Sequence, residues 1–148
     1  MNHRCISNIF LIALSIVAAV ALYFAFFEPP FLSYPRLPLA PTKRFVKPGE
    51  IVPLQVLRCS SSATPRTYTI ARSMQLISTG RHYVMPDILI EIKPGCHDAT
   101  SLAHHVPLGI PDGEYKILGL SEVPGAWRTN YVGWESGPFI VYGGVGEQ

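Results

Sequence analysis

Residues 88–93 read ILIEIK, with isoleucine at 88, 90 and 92 and Leu89 and Glu91 between them. An apolar residue at every second position puts the isoleucines on one face of an extended chain, the pattern of a strand with one buried face. The same period continues outward. Upstream, residues 66–78 (RTYTIARSMQLIS) keep Tyr68, Ile70, Met74 and Leu76 on one parity. Arg72 interrupts that run, which reads as one long strand or as a strand bent near Ala71. Residues 82–85 form a short strand before a break at Pro86-Asp87. Residues 51–59 alternate at Val52, Leu54 and Val56, and Pro53 marks an edge position or a bulge. Downstream, a long loop over 94–107 leads to strands at 115–120, 127–134 and 138–142. No window after residue 43 carries a helical period. About seven short strands in ~100 residues predict an all-β domain built as an antiparallel β-sandwich.

Residues 9–27 (IFLIALSIVAAVALYFAFF) have a different character: no charge, and Ser15 as the only non-apolar side chain. As a helix they reach ~28 Å, close to the ~30 Å hydrocarbon core of a bilayer. The head, residues 1–8, carries Arg4 and the terminal amine. Ala19-Val20-Ala21 offers a signal-peptidase cleavage site, but the apolar run continues to Phe27, long enough to span. An uncleaved signal anchor in contact with membrane lipid is therefore expected, with Tyr23, Phe24, Phe26 and Phe27 as an interfacial belt. Residues 28–42 hold prolines at 35, 38 and 41, the three-residue repeat of a polyproline II helix. They predict a semi-rigid stalk ahead of a β domain at 43–148. Pro35 to Pro38 also fits a P-x-x-P recognition motif.

Orientation is contested by two signals. Arg36, Lys43, Arg44 and Lys47 outnumber the charges of the head, which by the positive-inside rule puts the domain in the cytoplasm. Glu28 and the prolines come first after the membrane, however, and Cys59 and Cys96 suit an oxidising compartment. The expectation is a bacterial inner-membrane protein with one span and a periplasmic, extracytoplasmic C-terminal domain. In the domain, the two cysteines are most economically read as one disulfide, worth about 3 to 4 kcal/mol in the chain-entropy model. Cys5 lies on the other side of the span.

Charged residues make up 15% of the chain and the net charge is +2, with lysines and arginines scattered singly among acids. That excludes the clustered basic face of a nucleic-acid-binding protein. Fourteen prolines and twelve glycines punctuate the chain as turns.

Asp112-Gly113-Glu114-Tyr115, running into Lys116-Ile117-Leu118, resembles the tyrosine corner of immunoglobulin-like domains. The closing GPFIVYG (137–143), preceded by Trp134, resembles the strand that pairs with it. The resemblance covers residues 105–143 and implies an immunoglobulin-like sandwich in which Asp112 and Tyr115 have structural roles. Ile117 stands where antibody-type domains have a cysteine, so their usual inter-sheet disulfide is absent.

The residues able to carry chemistry are few. His97, His104 and His105, with Asp98 and Cys96, have metal-ligand side chains, but their spacing matches no standard zinc pattern, and no metal or other cofactor is expected. Ser73-Met74, Val106-Pro107 and Gly113-Glu114-Tyr115 faintly resemble signal peptidases of the Ser/Lys class, which implies Ser73 as nucleophile and Lys93 as base. Their spacing is shorter than that family's, Met74 lacks a following proline, and Gly119-Leu120-Ser121 stands where Gly-Asp-Asn belongs. No catalytic residue is assigned on that basis. Trp127, Arg128, Tyr131 and Trp134 are a possible aromatic binding surface, although spacings of four and three do not share one strand face. Gly137 and Gly143-Gly144 are turn and tail, with no strand-to-helix context for a phosphate loop.

The resulting expectation is a non-enzymatic, membrane-anchored extracytoplasmic β-sandwich that acts by binding protein, as an accessory of a bacterial or phage envelope assembly. A structural subunit of a larger particle or secretion channel is the alternative, and a Ser/Lys hydrolase the remote one.

Overall fold

The computed structural model describes residues 3–144, with side chains from residue 8 onward. Residues 1, 2 and 145–148 lie outside that description, as do the side chains of the head's Arg4 and Cys5. One helix, α1 (His3–Phe27), opens the chain, and its segment Asn8–Phe27 is long and apolar enough to cross a membrane, with mean hydropathy 2.7 and no buried residue.

Among the described residues the rest of the regular structure is β, in ten segments rather than seven: β1 (Leu32–Ser33), β2 (Ala40–Pro41), β3 (Phe45–Val46), β4 (Leu54–Ser60), β5 (Arg66–Leu76), β6 (His82–Ile92), β7 (Gly95–Ser101), β8 (Gly113–Pro124), β9 (Thr129–Glu135) and β10 (Phe139–Val141). They form two sheets. In the smaller, β4 is flanked on one side by β7 and on the other by β1 and β2, all antiparallel. The larger runs β3-β10-β8-β5-β6, with β9 also paired to β8. The β3–β10 pair is parallel, which departs from the all-antiparallel arrangement expected.

Both sheets contribute to one apolar core. Leu54 and Val56 of β4 meet Tyr68, Ile70 and Met74 of β5 and Tyr115, Ile117 and Val123 of β8, all buried. The alternation read in residues 66–76 is therefore the inward face of a single uninterrupted strand.

Three local expectations are corrected. First, residues 28–42 are not a stalk standing clear of the domain. Leu32, Tyr34 and Leu39 are buried in the core, and β1 and β2 pair with opposite ends of β4. Between them the chain crosses to the larger sheet, where the Leu39 amide donates to the Glu135 carbonyl (2.8 Å) and the Gly137 amide to that of Leu39 (2.8 Å). The apolar residues between the prolines gain more from burial than an extended solvated arm offers them. Second, Pro86 does not break β6. Ile70 pairs with Ile88 and Arg72 with Met85, so Pro86 and Asp87 together oppose Ala71 in a bulge. On an edge strand a proline leaves no ladder bond unmade. Third, residues 95–101 are strand, not loop. β7 exposes every residue but Ser101, so no apolar period marks it; its seven register pairs with β4 hold it.

Cys59 and Cys96 oppose each other in that ladder and are disulfide-bonded, 37 residues apart. They lie on the outer face of the smaller sheet, so the bond joins neighbouring strands of one sheet. Replacing both with serine should lower the unfolding free energy by about 3 to 4 kcal/mol. Denaturant titration of the full chain in detergent checks this, and reduced wild-type protein should match the double variant.

Candidate functional site

Two regions combine polar chemistry or exposed apolar surface with a defined geometry: a buried polar cluster between the sheets, and the outer face of the larger sheet. The cluster forms because β5's inward parity includes Arg72, which is buried along with its apolar neighbours. Its guanidinium donates to the Pro86 carbonyl on the β6 bulge, from Nε at 3.2 Å and also from Nη2. Nη1 donates to the Ala103 carbonyl (2.5 Å) and lies 3.2 Å from His104 Nδ1. Because arginine can only donate, Nδ1 accepts, and the proton sits on Nε2, which donates to Ser101 Oγ at 3.1 Å.

His104 is 2% exposed, and burial, with the nearby Arg72 and Arg58 charges, pushes its pKa down to about 3. Burial likewise pulls the Arg72 guanidinium below its ordinary value, with Asp87 opposing the shift. The His104 ring stands edge-on to Trp134 at 5.8 Å. Trp134 in turn lies across Gly119, its register partner on β8, where a Cβ would fall within the indole. A cavity of about 10 Å³ beside Tyr34, Ser101, His104 and Trp134 has room for roughly one water. This cluster therefore ties β5, β6, β7 and β9 together; it has no space for a substrate.

The other candidates disperse. Ser73 faces outward on β5, with Oγ 3.2 Å from His82 Nδ1. Its register partner is Val84, whereas Lys93 follows Ile92, which pairs with Arg66 at the other end of β5. The two never converge. His97 points back to the Pro94 carbonyl (3.0 Å), Asp98 bonds Gln55 and pairs with Arg36 (3.6 Å), and His104 is buried. Among the described residues no group of three or more His, Cys, Asp or Glu converges as a metal site.

Tyr115 is fully buried and its hydroxyl donates to the Pro111 carbonyl at 2.8 Å, while Asp112 Oδ1 accepts from the Gly144 amide at 2.6 Å. The aromatic quartet divides. Trp134 belongs to the core, a correction to its place in a surface group; Tyr131 projects from the outer face of β9; Trp127 and Arg128 sit at the tip of the β8–β9 hairpin.

What the sequence did not single out is the outer face of the larger sheet. Val84 and Leu89 of β6, Leu120 of β8 and Tyr131 of β9 are all exposed there. The register sets Leu120 beside Ala71 and Gly133, and Leu89 in the row of Thr69, Glu122 and Tyr131. The signal was present as the complement of the core parity: once Tyr68, Ile70, Ile88 and Ile90 are assigned inward, the apolar residues between them must face out.

No protein-family model matches the chain, and no curated protein matches it in sequence. Among solved structures it is similar to Pseudomonas fluorescens alkylpurine DNA glycosylase AlkC bound to DNA containing an abasic site analog, with a TM-score of 0.46 and 12% identity. That likeness covers 76% of this chain and 31% of the glycosylase, and carries no argument about activity.

The His104 shift gives a signed pH dependence. Its folded value is depressed below the unfolded one, so the unfolded state binds more protons between about pH 6.5 and 3. Stability from this group is complete above pH 6.5 and falls with acidification, at most by about 1.4 kcal/mol per pH unit. Urea titrations at pH 7, 5 and 4 should show that loss in the wild type, and a shallower one in His104→Gln.

Proposed function

We propose that this chain is a single-pass membrane protein whose extracytoplasmic domain, an immunoglobulin-like β-sandwich, works by binding another protein, as an accessory of a bacterial envelope or phage-encoded envelope assembly. The observation that carries the binding reading is the outer face of the larger sheet. Val84, Leu89, Leu120 and Tyr131 are exposed on one face of one sheet, with half-buried Ala71 and Leu118 on the same face and Ser73, Thr69 and Glu122 interleaved, and exposed apolar side chains gathered on one face among polar ones support an interaction surface. The open edge of β6 beside them offers unpaired backbone groups for strand addition.

The extracytoplasmic, periplasmic location is supported by the Cys59–Cys96 disulfide, since such bonds persist in oxidising compartments. The sandwich reading is supported by two sheets sharing one core and by the Tyr115 hydroxyl bonded four residues upstream, as a tyrosine corner requires. Assignment as a structural subunit of a larger particle or secretion channel draws on the same β6 edge, which admits a strand from a second chain. This reading gives the protein no enzymatic step, no cofactor and no nucleic-acid partner.

A photo-crosslinking residue at position 120 or 89, in the full chain in its native membrane, should capture one protein partner in a discrete adduct. The same residue at Thr100, on the smaller sheet, should not. Leu120→Arg should abolish the adduct while leaving the unfolding free energy within about 0.5 kcal/mol, as for an exposed site. Equal capture from both sheets, or none, would remove the basis for the binding reading.

A further inference from the structure

At the end of the domain nearest helix α1, Glu28 joins the helix to the β8–β9 hairpin. Glu28 continues the last turn, its amide donating to the Phe24 carbonyl at 3.1 Å. Its carboxylate accepts the backbone amides of Ala126 (3.0 Å) and Trp127 (3.3 Å), at the tip of the β8–β9 hairpin almost a hundred residues later. Arg128 Nη2 reaches the Glu28 carbonyl at 3.4 Å. Bonds from a carboxylate to backbone amides are charge-assisted and stronger than neutral ones. They fix the hairpin tip at the helix exit, and a Cβ at Gly125 would meet both the Glu28 carboxylate and the Arg128 carbonyl (each 2.6 Å).

The tip so held carries Trp127, 65% exposed, with the cationic Arg128 beside it. On the helix, within about a turn and a half of Glu28, lie Tyr23, Phe24 and Phe27, the Tyr23 ring stacked on Phe27 at 5.5 Å. An indole is favoured where apolar chain meets polar headgroup, and an arginine beside it matches lipid phosphate. A largely exposed indole at a hairpin tip gains little in water. At the end of a membrane helix it lies at the depth where its amphipathic ring is most stable.

From this we infer that the β8–β9 hairpin tip is a second membrane contact. In it the Trp127 indole enters the interface of the bilayer that α1 crosses, Arg128 faces the headgroups, and Glu28 clamps the tip in place. The inference rests on α1 spanning a membrane. β8 runs twelve residues up to the tip, so Gly113 and the β10 end lie ~36 Å along the strand from the membrane contact.

The test uses the full chain in vesicles of phosphatidylcholine and phosphatidylglycerol, with and without lipids brominated near the carbonyl end of the acyl chains. Bromine quenches tryptophan at contact. Trp134, buried and five residues beyond Thr129 on β9, serves as the unquenched reference. The expected result is a loss of emission in brominated vesicles that disappears in Trp127→Phe and is reduced in Glu28→Ala, with the protein retained on alkaline extraction. Retained protein with equal emission in both lipids would overturn the proposal and leave the anchor standing. Protein released by alkaline extraction would overturn the anchor and the proposal together. Undiminished quenching in Glu28→Ala would overturn the clamp.

Discussion

β8 is the strand on which the larger sheet depends. One of its edges pairs with β5 from Tyr115 to Glu122, and the other is shared by β10 at its start and β9 along the rest. Its inward residues, Tyr115, Ile117, Gly119, Ser121 and Val123, each answer a different neighbour. Tyr115 closes one end through Pro111, and Gly119 leaves space for the Trp134 indole. Ser121 bonds the Tyr34 hydroxyl at 2.8 Å, and burial holds that phenol above its ordinary pKa, hence neutral. That last bond satisfies the hydroxyl that Tyr34 carries into the core when the apolar residues of the segment after the helix are buried. A register slip of one residue in β8 would turn this whole set outward, so pairing and core composition are one constraint.

The strands with one wet and one dry face were legible because alternation is the direct record of that condition. Residues 66–76 and 88–92 announce themselves in this way. β7 was not legible because nearly all of it is exposed, so its sequence, GCHDATS, bears no trace of the sheet. The prolines of residues 28–42 misled for a related reason. They report on backbone angle, whereas Leu32, Tyr34 and Leu39 report on burial, and burial decided the outcome. Pro86 looks like a break in the sequence because a proline is incompatible with a central strand; its edge position is a property of the sheet, not of the local sequence. Among candidate site residues, the Cys59–Cys96 pairing and the Tyr115 bond were visible in advance. Arg72 was noticed only as an interruption, since its partners Pro86, Ala103 and His104 arrive from elements distant in sequence.

Arg72 and His104 place a charge and an imidazole in the interior without a catalytic geometry around them. Every hydrogen of the guanidinium that the structure accounts for goes to a carbonyl or to His104, so the cluster satisfies buried backbone at the β6 bulge and in the loop after β7. A buried charge with such partners rigidifies the structure and is costly to disturb. This rigid interior backs the outer face of the larger sheet, where Val84, Leu89, Leu120 and Tyr131 are exposed. The proposed binding and membrane contact rest on that face and on the membrane-proximal end, not on the interior.

The proposed extracytoplasmic location requires that Cys59 and Cys96 be joined in an oxidising compartment on the outer side of the membrane. Intact cells labelled with a membrane-impermeant thiol reagent, before and after reduction, and read by mass spectrometry decide the matter. An extracytoplasmic domain leaves both cysteines unlabelled until a reductant is added, and labelled then without lysis. Labelling that needs lysis and no reductant would put the domain in the cytoplasm with free thiols, and would contradict the proposed location.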